Sequence, residues 1–361
     1  MTTATAAPAR PVNEEKMMAF LGKAVGDFGA ALSSALMYIG QELGLYKAMV
    51  AGGPVTSTEL AHRTHTVERY VREWLVNQAA GGYVEYDART GRYSLPPEQA
   101  VALTDDTSPF FVGGGAYVVK AMLMGQPRIL KAFREGGGVL WGDNDPDLFV
   151  GTEKFFRPGY VAHLVNEWIP AMTGVDAKLK AGGRAADVGC GHGASTIIMA
   201  KAYPKSRFWG FDNHAPSIER ARKAAKDAGV ADRVTFEVAQ ANNFPDNGKY
   251  DLVAFFDCLH DMGDPVGAIK HTRETLAPTG VAMIVEPMAG ESIEGNFNPV
   301  GRTYSAASTL CCTSNSMALG GAALGAVASD GALREVAKAG GLSQFRRATE
   351  TPFNRVFEAR P

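Results

Sequence analysis

Ten residues near the middle of this 361-residue chain constrain its fold most: Arg184-Ala185-Ala186-Asp187-Val188-Gly189-Cys190-Gly191-His192-Gly193. They read as a short strand entering a glycine-rich turn, with a helical run over 195–203 behind it. Asp212 closes a second strand-like run, Arg207-Phe208-Trp209-Gly210-Phe211-Asp212. A glycine turn followed by an acidic strand end is how α/β proteins hold a nucleoside. The glycine backbone lets the ligand approach, and the carboxylate accepts the ribose hydroxyls.

The glycines do not say which nucleoside. Gly189, Gly191 and Ala194 also satisfy the dinucleotide pattern with alanine in the third slot. Asp187 discriminates, because an anion beside the turn repels a pyrophosphate arriving at the helix N-terminus. A ligand with a cationic amino-acid end tolerates it. S-adenosylmethionine has an ammonium, a sulfonium and no phosphate, and is the expected cofactor. A nicotinamide-dependent oxidoreductase is the competing reading, and an ordinary tight turn the plainest one.

From 184 onward, strand patterns at 184–188, 207–212, 234–239, 250–257 and 280–286 alternate with helical patterns at 195–203, 215–228 and 265–276. A helix near 330–339 and two last strands, near 343–350 and 353–359, close the chain. This alternation predicts an α/β fold, a Rossmann-like, mostly parallel sheet whose last strand is antiparallel. Ligands of such sheets sit at the carboxyl ends of the strands.

The chemistry-bearing residues fall at those ends. The fourth strand runs out through Asp257-Cys258-Leu259-His260-Asp261-Met262-Gly263-Asp264. An imidazole there has a pKa suited to taking a proton at neutral pH; a buried structural histidine is the alternative. Glu286 ends the fifth strand and either orients His260 or caps a loop. Gln240-Ala241 flanks an adenine or is a plain loop, and Asn213 follows Asp212. His192 contributes backbone to the ligand. Arg157 and Tyr160 reach the methionine end or the substrate, or lie at the surface. Asn298, Arg302 and Tyr304 open an insertion that covers the crevice or packs an oligomer. Its apolar tone suggests an apolar small substrate.

The first hundred residues are organised differently. Met17 to Val50 reads as helix rich in Ala, Gly and Met, which suggests an interface. Thr56 and Glu59 form a capping box, a second helix spans 67–80, and two short strands follow: helix, turn, helix, hairpin, the winged-helix pattern. Glu68, Arg69, Arg72 and Glu73 cancel in charge, whereas a DNA-reading helix needs surplus positive charge. The net charge of −2 gives no general attraction to nucleic acid or anionic membrane. Four cysteines, Cys190, Cys258, Cys311 and Cys312, show no metal-ligand spacing and fit a reducing cytoplasm. The run 306–328 is too interrupted by polar residues to span a membrane.

With these motifs in place, the chain resembles class I S-adenosylmethionine-dependent methyltransferases. Asp187-Val188-Gly189-Cys190-Gly191-His192-Gly193 is similar to their first motif, and Asp212 to their ribose-binding acid. Leu259-His260-Asp261-Met262-Gly263-Asp264 is similar to a segment of small-molecule O-methyltransferases whose histidine is the general base, with Met262 and Gly263 replacing a tryptophan and a serine. Over nearly its whole length it resembles actinobacterial and mycobacterial proteins that fuse a winged-helix-like domain to this catalytic domain. The resemblance implies cofactor contacts from Asp187, Gly189, Cys190, Gly191, His192, Gly193, Asp212, Asn213, Gln240, Ala241, Asp257 and Cys258, and a homodimer joined by the N-terminal domain. The expected layout is a disordered tail over 1–16, a winged-helix-like dimerisation domain over 17–103, a helical linker and active-site cover over 104–183, and the cofactor domain over 184–361.

Overall fold

Asn13 sets the first boundary. Its side chain accepts the Lys16 amide at 3.0 Å and caps a helix over Glu14–Glu42, so ordered helix starts inside the segment expected to be a tail. In the computed structural model, residues 12–361 are described; residues 1–11 of that tail lie outside them. The helix expected to continue to Val50 is broken at Gly44, whose φ of 66° leaves the helical region, and resumes at Leu45–Gly52.

The chain divides into two compact units, the first ending at Thr104 and the second spanning Asp105–Pro361. In the first, the capping box forms as expected: the Glu59 amide donates to Thr56 Oγ1 at 3.2 Å, and the Thr56 amide to Glu59 Oε2 at 3.0 Å. The helices Ser57–Thr64 and Glu68–Ala80 meet through His65, held in the left-handed region at φ 53°. Strands β1 (Glu85–Asp87) and β2 (Arg92–Ser94) form the antiparallel wing. On the second helix Arg72 pairs with Glu68 at 2.8 Å and Arg69 with Glu73. The charges are spent within the helix.

The second unit is built on a seven-stranded sheet. Its strands are β3 (Arg184–Val188), β4 (Arg207–Asp212), β5 (Val234–Val238), β6 (Tyr250–Phe256), β7 (Leu276–Pro287), β8 (Gln344–Glu350) and β9 (Asn354–Arg360), in spatial order β5-β4-β3-β6-β7-β9-β8. The first five are parallel. β9 runs against both β7 and β8, so the final strand lies inside the sheet and β8 takes the edge. Successive residues feed opposite cores: Leu252, Ala254 and Phe256 join Met283 and Val285 on one face, Val253 and Phe255 join Ala282 and Ile284 on the other. Burial on both faces is why these strands read as continuous apolar runs.

β9 is anchored by a fully buried guanidinium. Arg355 donates to the Pro287 carbonyl at 2.9 Å, the Ala328 carbonyl at 2.8 Å and Asp330 Oδ1 at 2.8 Å. Arg355→Met strands two buried carbonyls, while Asp330 keeps its pair with Arg347 at 2.7 Å. The expected cost is about 3 kcal/mol, read as a lower urea midpoint at unchanged slope. A midpoint equal to wild type would show that the anchor contributes nothing net.

In the second unit, the segment ahead of β3 supplies helices Gly114–Glu135 and Asp147–Gly159, the latter continuing as a wider π-helix over Tyr160–Trp168. After β7 the insertion is helical: Pro299–Ala307, a π-helical turn over Ser308–Cys312, and Thr313–Ala318. No described helix is long and apolar enough to cross a membrane.

Candidate active site

The glycine turn leaves β3 and is tied at once to its neighbour: the amides of Gly189 and Cys190 both donate to the Phe211 carbonyl of β4, at 2.8 and 3.0 Å. Gly189, Gly191 and Gly193 all have positive φ, 77°, 52° and 80°. At Gly189 a Cβ would also meet Cys258 Sγ at 2.7 Å, so both conformation and space require glycine. Asp212 then fixes the turn from the next strand end. Its Oδ2 accepts the Gly191 amide at 2.9 Å and its Oδ1 the His214 amide at 2.8 Å.

Asp187 is fully buried. Oδ2 accepts from Ser195 Oγ and Thr196 Oγ1, both at 2.6 Å, while Oδ1 has no partner. Burial pushes its carboxyl up to about 6 against the hydroxyls that favour the anion. An orphaned carboxylate oxygen in a buried position calls for a donor, and a cationic one satisfies it best.

A cavity of about 560 Å³ opens beside the turn, lined by Gly189, Cys190, Gly191, His192, Ser195, Tyr160 and Asp257 together with Trp141, Phe149, Glu153 and Phe156. His192 Nδ1 pairs with Glu153 Oε2 at 2.9 Å, so its ring is tied to the covering helix. No lysine or arginine is in the lining. The residues therefore suit a nucleoside with a cationic end and offer a pyrophosphate no cationic lysine or arginine. Asp187 and Asp212 are outside the lining, as are Gly193, Cys258, Asn213, Gln240 and Ala241. Gly193 forms the end of the turn with Phe236 packed against it, Cys258 backs Gly189 with its thiol on the Val188 carbonyl at 3.2 Å, and the other three lie on the loops after β4 and β5 at the same sheet edge.

A second cavity, about 1210 Å³, adjoins the first; Trp141, Thr152, Phe156 and Asp257 line both. Its walls are mostly apolar: Val118, Val119, Met122 and Leu123 from Gly114–Glu135, Leu310, Cys311 and Ala306 from the insertion. His260, Asp261 and Asp257, with Tyr304, Cys311 and Cys312, supply the ionisable groups, again without lysine or arginine.

His260 sits at 2% exposure in a turn after β6. Its Nδ1 lies 2.5 Å from Glu286 Oε2, and its backbone amide donates to Glu286 Oε1 at 3.3 Å. Burial pulls the imidazole down, yet the Glu286 carboxylate, with the Cys312 thiol alongside, holds its pKa well above the usual histidine range. Glu286 accepting from Nδ1 leaves Nε2 as the nitrogen free for chemistry. Asp257, at φ 52°, accepts from Asn354 Nδ2 at 2.7 Å and Tyr160 Oη at 3.3 Å, and burial beside Glu286 lifts its pKa well above the carboxylate range.

Three expected substrate residues are elsewhere. Asn298 is the N-cap of Pro299–Ala307, accepting the Gly301 amide at 2.9 Å; an Asn before a helix-starting proline is itself a cap signature. Arg302 on that helix is exposed and lines neither cavity, nor does Arg157. Tyr304 does line the larger cavity, though its hydroxyl donates to the Phe353 carbonyl at 3.1 Å. The sequence reading missed Trp141, Met122, Asp261 and Cys312. Their only local signal is helical or turn patterning, because distant elements bring them together.

Residues 179–335 match the family model of a methyltransferase domain, and residues 30–105 that of the Rv2258c-like winged HTH domain. Over 103 residues the chain is 37% identical to 27-O-demethylrifamycin SV methyltransferase of Amycolatopsis mediterranei, covering 28% of this chain and 38% of that one. Over 115 residues it is 29% identical to trans-aconitate 2-methyltransferase of Streptomyces coelicolor, covering 32% and 36%. The chain thus spans little more than a third of the length of these two relatives. The solved structure of PigF with SAH shares the fold at TM-score 0.73 and 16% identity, covering 97% of this chain and all of that one.

Proposed function

This chain joins an Rv2258c-like winged helix-turn-helix domain to a methyltransferase domain, and on that premise we propose that it methylates a hydroxyl of a neutral, largely apolar small molecule at the expense of S-adenosylmethionine. The observation that carries this is the His260–Glu286 pair in the wall of an apolar cavity that shares four residues with the cavity of the glycine turn.

S-adenosylmethionine brings a methyl group already activated by its sulfonium, so the protein mainly has to position and deprotonate. Asp187, buried behind the glycine turn with Oδ1 unpartnered, is the acceptor assigned to the ammonium. Gly189 and Gly191 leave backbone open to the ligand, and Asp212 stands at the strand end where ribose hydroxyls are received. His260 Nε2 takes the acceptor's proton while Glu286 holds the ring and favours the imidazolium that results; Glu286 is a positioning residue. The apolar walls desolvate the reaction.

The acceptor class follows from charge. Of the two relatives described above, one is named for a rifamycin and the other for trans-aconitate. A polycarboxylate needs cationic partners, and no lysine or arginine lines the larger cavity. This supports the neutral acceptor. The wholly paired charges of helix Glu68–Ala80 speak against duplex DNA as partner. A second copy of the chain is a better one: Phe20, Val25, Phe28 and Leu32 on the first long helix are 67–68% exposed, an apolar surface that a homodimer would cover. Unbridged cysteines fit a cytoplasmic setting.

Calorimetric titration of the purified chain with S-adenosylhomocysteine, with NAD as control, tests the premise. Saturable binding of the product at roughly micromolar affinity, with no heat from NAD, is expected. Heat from NAD and none from the product would overturn the proposal in favour of an oxidoreductase.

A further inference from the structure

On the methyl-transfer reading above, the two cavities fix where the reacting atoms stand. Donor carbon and acceptor must come within about 3–3.5 Å of one another. The sulfur that carries the methyl therefore lies against the residues common to both linings: Trp141, Thr152, Phe156 and Asp257. That sulfur is a cation taken out of water, and it needs a partner. The carboxyl of Asp257 is already engaged, accepting from Asn354 Nδ2 at 2.7 Å and Tyr160 Oη at 3.3 Å, and burial lifts its pKa well above the carboxylate range. Glu153, the other carboxylate of the smaller cavity, is paired with His192 Nδ1 at 2.9 Å. What remains to meet the charge is aromatic. Trp141, Phe149, Phe156, Tyr160 and Phe256 line the smaller cavity, and Trp141 and Phe156 also reach the larger one. Ring faces attract cations through their quadrupole, most strongly where water is excluded.

We propose that Trp141 and Phe156 recognise the sulfonium of S-adenosylmethionine with their rings, and so make the protein bind the charged cofactor in preference to its neutral product. Both rings are held by their surroundings. The Trp141 amide donates to Asn315 Oδ1 at 2.8 Å, its carbonyl accepts from Asn144 Nδ2 at 3.1 Å, and its ring meets Phe149 edge-on at 5.5 Å. Asn315 Nδ2 donates to the Asp261 carbonyl at 2.9 Å, so the side chain that holds Trp141 also holds the turn of His260. Phe156 meets Phe155 edge-on at 5.1 Å and lies nearly parallel to Tyr160 at 6.4 Å.

The consequence falls on ligand exchange. Asp187 and Asp212 meet groups that cofactor and product share, so they do not tell the two apart. As the acceptor oxygen bonds the methyl carbon, the C–S electron pair stays on sulfur, and the acceptor's proton carries the positive charge to His260. The attraction to the two rings ends there, and the product is held less tightly than the incoming cofactor. Because the attraction is already present before the reaction, it adds to cofactor binding and nothing to the chemical step.

Calorimetric titration of the full chain with S-adenosylmethionine and, separately, with S-adenosylhomocysteine reads the preference as a ratio of affinities. The product is the internal control, since a variant that only disturbs packing weakens both ligands. Wild type is expected to favour the cofactor. Trp141→Leu and Phe156→Leu should each lose about three- to tenfold of the ratio with product affinity little changed, while Trp141→Phe, which keeps a ring, retains most of it. Equal affinities in wild type, or equal weakening of both ligands in the two leucine variants, would overturn the assignment and leave the methyl-transfer reading standing. A preference that survives both leucine variants and vanishes in Asp257→Asn would overturn it in favour of that carboxyl. Binding of neither ligand would remove the proposal together with the reading on which it rests.

Discussion

His260→Ala is expected to lower methyl transfer to a hydroxyl acceptor by about 10²–10⁴-fold, the usual contribution of a positioned general base. Product binding should be nearly unchanged, because His260 lines the larger cavity and not that of the glycine turn. The pH profile carries a second signature. The base must be neutral, and Glu286 raises the histidine's pKa well above 6.5, so turnover climbs as pH passes up through that raised value. Glu286→Gln removes the raising charge and moves the limb to lower pH, with a reduced plateau because the ring is less firmly held. The linkage to stability has the opposite sense. A histidine with a raised folded-state pKa contributes stability that is complete below its unfolded value near 6.5 and is lost as pH rises through the folded one. Activity therefore grows over the same window in which this contribution to stability fades. Equal losses of turnover and product affinity in His260→Ala would remove the base assignment.

Asp212→Ala is expected to weaken S-adenosylhomocysteine by about 100-fold or more. Each charge-assisted hydrogen bond is worth about 1.5–3 kcal/mol, and this carboxylate serves two purposes. It already holds the amides of Gly191 and His214, which shape the turn, and its remaining lone pairs are available to ribose hydroxyls. Asp212→Asn separates the two. It keeps the size and one acceptor oxygen, so it should preserve much of the turn and lose an intermediate share of affinity. Calorimetry on both variants measures this, and wild-type affinity in Asp212→Ala would place the ribose elsewhere.

Strand ends were readable because their signals are local. Asp187, the three glycines and Asp212 lie in one βαβ stretch whose strand register brings Val188 opposite Phe211, and the pattern of apolar runs and turns already dictates that register. His260 and Glu286 were readable for the same reason, since each follows a strand. Cavity walls were not. Val118 and Met122 meet Leu310 and Cys312 from helices far apart in sequence, and an amphipathic pattern states only that one face is covered, not what covers it. Arg302 and Asn298 show the opposite case: a polar residue at the mouth of an insertion reads like a ligand contact, while Asn298 caps a helix and Arg302 is exposed outside both cavity linings.

Trp141, Thr152, Phe156 and Asp257 form a party wall between the two chambers. Any ligand that shifts them on one side alters the free energy of binding on the other. Linkage makes that effect reciprocal: the factor by which cofactor product changes acceptor affinity equals the factor by which acceptor changes product affinity. The shared wall is the route by which such coupling would travel, and measuring acceptor affinity with and without S-adenosylhomocysteine reads its size.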